Sequence, residues 1–106
     1  MTVREHLQEK LKNPYFKELH ELEQQKYAIV KKIIDYRIKQ NLTQADLAKQ
    51  IKVSQQHISK IEGGEFSSVA TLEKVLLGIG MTVRIGVVKL NPQIHKKITR
   101  AMAHSV

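Results

Sequence analysis

Two short helical patterns separated by only four residues constrain this sequence most strongly. They lie in LTQADLAKQIKVSQQHISKIEGG, residues 42–64. Thr43 precedes the first pattern, and Asp46 follows three residues later, which is a variant of the capping box that begins helices. Ser54 caps the second pattern, and a pair of glycines ends it. This arrangement predicts one short helix, a sharp turn and a second short helix.

Apolar residues recur in both patterns at the spacing of a single helix face. Such residues normally form a core, and we assign them no other role. They are Leu42, Leu47, Ala48, Val53, Ile58 and Ile61.

The second pattern opens with three large polar residues, Gln55, Gln56 and His57, which a helix made only for packing does not need. Polar side chains at the start of a helix reach base edges in the major groove of DNA, and Gln pairs with adenine through two hydrogen bonds. Gln44 stands at the start of the first helix, where free N–H groups and the helix dipole favour phosphate. The pattern therefore predicts a helix-turn-helix that binds DNA. A solvated helix face is the alternative interpretation of the three polar residues.

The charge of the chain favours a polyanionic partner. The 106 residues contain 18 Lys and Arg against 10 Asp and Glu, which gives a net charge of +8. Residues 1–27 are neutral overall, whereas residues 81–106 contain five basic residues and no acidic one. This surplus favours nucleic acid over a membrane surface.

Composition also limits the classes of function. The chain has no cysteine, so disulfides and Cys-based metal sites are excluded. No apolar run approaches the ~18 residues of a membrane span, and the first residues lack the apolar core of a signal peptide; we expect a cytoplasmic protein. We find no metal-ligand spacing among the scattered histidines, no paired carboxylates and no Ser-His-Asp set. We therefore expect no enzymatic activity, no metal and no cofactor.

The rest of the chain reads as mostly α-helical. A short helix is predicted over residues 5–12, and Asn13 followed by Pro14 begins either one long helix or two helices joined end to end. That helix ends near Asn41 in a left-handed conformation. Ser67 or Ser68 begins the helix that follows the glycine pair.

Residues 81–90, MTVRIGVVKL, alternate with a period of two and predict the one strand of the fold. A lone strand needs a partner, and we expect the same strand of a second copy, with Val83, Ile85 and Val87 at the homodimer interface. A two-fold dimer reads a palindromic operator whose half-sites are about 34–36 Å apart. Residues 91–106 form a basic tail that is either a short helix or loose.

Three segments, LTQADLA, VSQQHISKIE and TLEKVLLGIG, together resemble the XRE family of helix-turn-helix proteins, the class of Cro and the phage repressors. The resemblance implies a lambda-repressor-like DNA-binding domain of the five-helix type over residues 28–80. It implies an ion pair between Arg37 and Glu62. Two departures are Lys52, where the family commonly has Gly, and the missing Pro near Ser67. The residues that it implies for DNA binding are Thr43, Gln44, Ser54, Gln55, Gln56, His57, Ser59 and Lys60.

The helical arm at residues 1–27 and the strand after the last domain helix make the architecture similar to that of HigA-type antitoxins. That resemblance implies a protein that represses its own operon and neutralises a RelE/HigB-like ribonuclease toxin. Tyr15, Leu19 and Leu22, beside acidic residues, are the candidate toxin-binding positions. Alternatively, these residues pack on their own domain. Two other classes of function are a stand-alone repressor of a phage or mobile element and a protein-binding helical adaptor.

Overall fold

The computed structural model describes residues 2–66 and 68–104, and over these residues it forms six α-helices and no β-strand. The mostly helical class is therefore confirmed, whereas the predicted strand at residues 81–90 is not. No helix in this part of the chain has the length and apolar character needed to cross a membrane. The helices are α1 (Val3–Lys10), α2 (Pro14–Lys39), α3 (Gln44–Ile51), α4 (Gln55–Glu62), α5 (Val69–Gly78) and α6 (Pro92–Ala103).

Capping side chains explain where the first two helices begin. α1 begins two residues before the predicted start, because Thr2 and Glu5 form a reciprocal capping box that the sequence reading overlooked. The side chain of Asn13 accepts the backbone N–H of Tyr15 at 2.9 Å, so α2 begins at Pro14 as predicted. Asn41 follows α2 with a φ of 56°, which confirms the left-handed conformation.

The start of α5 has a weaker local signal. Ser68 occupies the residue before the helix, but its side chain makes no capping hydrogen bond to the backbone. Its hydroxyl lies 3.3 Å from the hydroxyl of Thr71 instead. Ser67, the other predicted start, lies outside the described residues.

The chain divides into two compact units. One unit comprises residues 25–85 and contains the later part of α2 together with α3, α4 and α5. The other comprises the chain up to Gln24 and the chain from Gly86 onward, and contains α1, the first part of α2 and α6.

A single hydrophobic core holds the unit of residues 25–85 together. Four of the predicted core residues are buried, and Leu42 and Val53 are partly buried and packed against them. Gly78 lets α5 approach α3 closely, because a Cβ there would lie 2.7 Å from Cγ2 of Ile51. The side chains that are fully buried are Ile33, Leu47, Ile58, Ile61, Leu72 and Val75.

Residues 81–90 leave α5 in a conformation that is neither helix nor strand. Met81 and Val83 pack against the helical core, and the carboxylate of Glu73 accepts the Val83 N–H at 3.3 Å. Ile85 and Val87 are 75% and 99% exposed. The three residues predicted for one dimer face therefore differ in their surroundings. Val83 packs within its own unit, whereas Ile85 and Val87 are exposed. A strand also needs a partner to complete its hydrogen bonds, and the described residues contain no strand that could pair with this segment.

In the other unit, Pro92–Ala103 of the basic tail form a capped helix. Asn91 accepts the N–H of Gln93 at 2.8 Å, and Pro92 fills the first helical position. Ile98 anchors α6, because its side chain is only 8% exposed. The helical alternative for residues 91–106 is therefore correct over Pro92–Ala103.

Candidate nucleic-acid interface

The turn between α3 and α4 is tight and is fixed at both ends by hydrogen bonds. Lys52 ends α3 with a φ of 61° and a ψ of 48°, a left-handed conformation that costs a residue with a Cβ roughly 1–2 kcal/mol. The N–H of Val53 returns to the carbonyl of Ala48 at 2.9 Å. Ser54 then accepts the N–H of His57 at 3.1 Å and begins α4. Lys52 therefore adopts the left-handed backbone conformation that Gly would adopt at a lower cost in free energy.

The start of α3 is capped in the way that the sequence predicts. The hydroxyl of Thr43 accepts the N–H of Asp46 at 3.0 Å, and the carboxylate of Asp46 accepts the N–H of Thr43 at 3.0 Å. The backbone hydrogen bond from Thr43 is the main cause that lowers the pKa of Asp46 below its usual value. A charged carboxylate is therefore maintained at the positive end of α3.

α4 has one buried face and one exposed face. Ile58 and Ile61 are 0% and 1% exposed and fix the rotation of the helix on the core. Because of this rotation the opposite face is free to meet a partner. The exposed residues of this face, called here the reading face, are Gln55, Gln56, Ser59 and Lys60, while His57 is half-buried at its margin.

Arg37 of α2 and Glu62 at the end of α4 form a bidentate ion pair. Nε of Arg37 donates to Glu62 at 2.7 Å, and Nη2 donates to the other carboxylate oxygen at 2.9 Å. The remaining guanidinium nitrogen, Nη1, donates to the carbonyl of Leu42 at 3.0 Å. The side chains are 18% and 7% exposed, so solvent screens the pair only partly. Its hydrogen bond to Glu62 raises the pKa of Arg37 above its usual value.

Gln44 joins this pair from the first turn of α3. Its side-chain nitrogen donates to Oε1 of Glu62 at 3.2 Å, and the residue is half-buried. The contact connects the starting turn of α3 to the end of α4. Sequence reasoning placed Gln44 at the helix start but missed this contact, because it depends on the angle between two helices and not on spacing along the chain.

The same unit is basic, and this suits a phosphate partner. Residues 25–85 contain ten Lys and Arg against five Asp and Glu. Lys49, Lys52 and Lys60 are exposed on α3, on the turn and on α4. Positive charge around a helix pair that exposes polar side chains is the arrangement that DNA binding requires.

The residues predicted for toxin binding lie in the other unit. Tyr15 and Leu19 line an open, mostly apolar groove of about 380 Å³ together with Lys10, Asn13 and Phe16. Leu22 is 52% exposed and is not among the lining residues. Sequence reasoning missed Phe16, although it stands next to Tyr15 on the same turn.

Phe16 is held in the groove from two sides. The ammonium of Lys10 lies 5.6 Å from the centre of its ring, and the ring of His20 stacks on it at a centroid distance of 6.3 Å. These contacts are at the range of weak cation–π and ring interactions. Within residues 2–66 and 68–104, no group of three or more His, Asp or Glu side chains is arranged to hold a metal ion.

Comparison with known protein families gives one match. Residues 33–84, from the later part of α2 to the segment after α5, match a family described as helix-turn-helix. No curated protein and no solved structure matches the chain. The match covers every residue of the reading face and both residues of the Arg37–Glu62 pair.

Proposed function

We propose that this protein is a sequence-specific repressor of the XRE type that reads its operator with α4, because residues 33–84 match a helix-turn-helix family. The observation that carries the proposal is the reading face. Four polar side chains are exposed on a helix whose opposite face is buried and whose end is fixed by Arg37. A helix that is fixed in this way presents its hydrogen-bonding side chains to the DNA in one constant orientation.

In this proposal α3 and α4 have different roles in DNA binding. Gln55 and Gln56 hydrogen-bond to base edges, since their amides offer a donor and an acceptor together. Lys60 and the N-terminus of α3, with Thr43 and Gln44, bind phosphate and set the position of α4 in the groove. Ser54, His57 and Ser59 complete the set of proposed DNA contacts. Gln44 has a second role in this scheme, because its hydrogen bond to Glu62 ties the phosphate-binding turn to α4.

The repressor is proposed to act as a homodimer that binds a palindromic operator. Ile85 and Val87 are exposed on the segment after α5, whose start is fixed by Glu73. Pairing of this segment with its copy about a two-fold axis would cover both side chains and satisfy the free backbone groups. Val83 contributes by holding the segment against its own core.

We further propose that the protein is an antitoxin whose toxin is a RelE/HigB-like ribonuclease. The support is the groove beside Tyr15 and Leu19, the exposed Leu22, and the acidic residues Glu18 and Glu21 on the same turns. An apolar surface bordered by acidic side chains suits a basic RNA-cutting partner. This part of the chain is also neutral overall, unlike the rest, and is therefore poorly suited to phosphate.

Selection of bound sites from a pool of randomised duplexes tests the repressor proposal. We expect a palindromic consensus with half-sites separated by about one helical turn. Recovery of no preferred sequence would contradict it.

Co-expression with the neighbouring reading frame tests the antitoxin proposal. The double change Leu19→Lys and Leu22→Lys is expected to abolish rescue from a toxic neighbour, while Leu77→Lys, at a side chain that is 62% exposed in the other unit, retains it. Full rescue by the double variant would contradict the proposed toxin surface. If no neighbouring frame is toxic, the protein is a stand-alone repressor.

A further inference from the structure

α6 carries a basic face that the helix-turn-helix does not include. Helical spacing brings Lys96, Lys97 and Arg100 within about 100° of arc on one side of the helix. All three side chains are exposed, whereas Ile98, on another side of the helix, is 8% exposed. Burial of Ile98 therefore turns the basic face outward.

The three cations of this basic face form no ion pair in the described part of the chain. None of its three side chains makes an ion pair or a side-chain hydrogen bond with residues 2–66 or 68–104. The sequence from residue 81 to the end contains no acidic residue at all. An anion that binds here displaces no existing pair, so the whole attraction is available for binding.

The helix that presents these charges is well formed. Asn91 caps its start, and the hydroxyl of Thr99 donates to the carbonyl of His95 at 2.6 Å, one turn earlier. The helix consequently fixes the backbone positions of the three residues, so the chain loses less conformational freedom on binding than a loose tail would.

We propose that the basic face of α6 is a second DNA-contacting surface, which binds the phosphate backbone of duplex DNA. The inference rests on the proposed function, since it takes DNA as the ligand. Lys and Arg bind phosphate through charge-assisted hydrogen bonds and release condensed counterions as they do so. Because α6 belongs to the same chain as α4, binding by α4 raises the effective concentration of duplex phosphates around α6, and weak contacts then add to affinity.

Two other polyanionic partners fit the same face less well. An interfacial membrane helix inserts its apolar side, but here Ile98 is buried in the protein, and only Ile94 and Met102, 44% and 48% exposed, remain. Single-stranded RNA is usually bound by stacking of its bases on aromatic rings. Residues 81–106 contain no Phe, Tyr or Trp.

The test compares two variants of the full chain that lose the same charge. The first changes Lys96, Lys97 and Arg100 to Gln, and the matched control changes Arg4, Lys12 and Lys17, which are also exposed, to Gln. Affinity for a selected operator duplex is measured over a range of salt concentrations. We expect the slope of log K against log salt to become shallower by roughly 1–3 per chain for the α6 variant, with a loss on the order of tenfold at 0.1 M salt. The control is expected to stay within about twofold of the unchanged protein, because its charges lie on α1, on the turn that follows it and on α2, and none of them belongs to the basic face of α6.

Equal losses in both variants would overturn the proposal, since they would show a general effect of net charge. An unchanged slope in the α6 variant would also overturn it, as would α6-dependent binding to single-stranded RNA or anionic vesicles with no change on duplex DNA. A variant with Lys96→Arg and Lys97→Arg should keep the original slope, which separates loss of charge from loss of fold. The ratio of specific to non-specific affinity should not change in the α6 variant. Failure of the repressor proposal is distinguishable, because the unchanged protein would then show no sequence preference at all.

Discussion

Arg37 and Glu62 lie 25 positions apart in the sequence and share two hydrogen bonds of 2.7 and 2.9 Å. The pair ties the long helix α2 to the last residue of α4. Gln44 adds a third side chain from α3. The position of the reading face is therefore set by polar contacts at one end of α4 and by Ile58 and Ile61 along its length.

The change Glu62→Gln should destabilise the fold. An exposed ion pair contributes ~0–1 kcal/mol and removal of one partner of a buried pair costs ~3–5 kcal/mol. Since both side chains are mostly covered, we expect a loss of about 2 kcal/mol in the free energy of unfolding, measured by urea denaturation. Glu65→Gln, at an exposed residue of the following loop, is the control. Equal effects of the two changes would mean that the pair contributes nothing.

The change Gly78→Ala should also destabilise the protein. The added Cβ would lie 2.7 Å from Cγ2 and 2.9 Å from Cβ of Ile51, and Cβ cannot move without the backbone of α3. Overpacking of this kind costs about 1–3 kcal/mol. At Gly63 the nearest atom would be at 3.4 Å, so Gly63→Ala should be close to neutral. If thermal denaturation finds Gly78→Ala neutral too, α3 and α5 are less closely packed than described.

The Thr43–Asp46 capping box should give a pH-dependent part of the stability. The pKa of Asp46 is lowered in the folded protein, chiefly by the backbone hydrogen bond from Thr43. Unfolding raises that pKa, so the contribution is complete above the ordinary carboxyl pKa of about 4 and disappears as pH falls through the lowered folded value. Denaturation of the unchanged protein and of Asp46→Asn at pH 7, 5 and 3 should therefore show a difference that shrinks toward pH 3. A difference that is constant with pH would assign the effect to something other than the charge.

The change Ile85→Lys should disrupt the proposed dimer without weakening the fold. Ile85 is 75% exposed within a single chain, so lysine there costs little burial. In a two-fold pair of strands the same position would place two like charges near each other. Sedimentation should show monomers for Ile85→Lys and dimers for Leu77→Lys, a control at another exposed apolar residue. Dimers in both cases would show that the segment after α5 is not the interface.

Local signals in the sequence predicted most of the helix-turn-helix. Thr43, Ser54 and Asn13 begin helices through their own side chains, and Asn41 ends one, so short windows of sequence contain the information. The Arg37–Glu62 pair was implied only by family resemblance, because no local rule connects residues 25 positions apart.

Features that depend on tertiary packing were not predictable in this way. The alternation of residues 81–90 indicates a strand, but Met81 and Val83 pack on the helical core and the described chain offers no second strand. Similarly, nothing in the spacing indicates that Gln44 contacts Glu62. In each case a long-range contact overrides or adds to the local preference.

The role of α4 in base recognition is tested most directly by the affinities of Gln55→Ala for a selected operator duplex and for a scrambled duplex of the same length and composition. Gln55 is exposed on the first turn of α4, so its truncation leaves the buried face of the helix intact. We expect a loss of about 1–3 kcal/mol on the operator and almost none on the scrambled duplex, because only base contacts distinguish the two. Equal losses on both duplexes, or no loss on either, would contradict the claim that α4 reads the sequence.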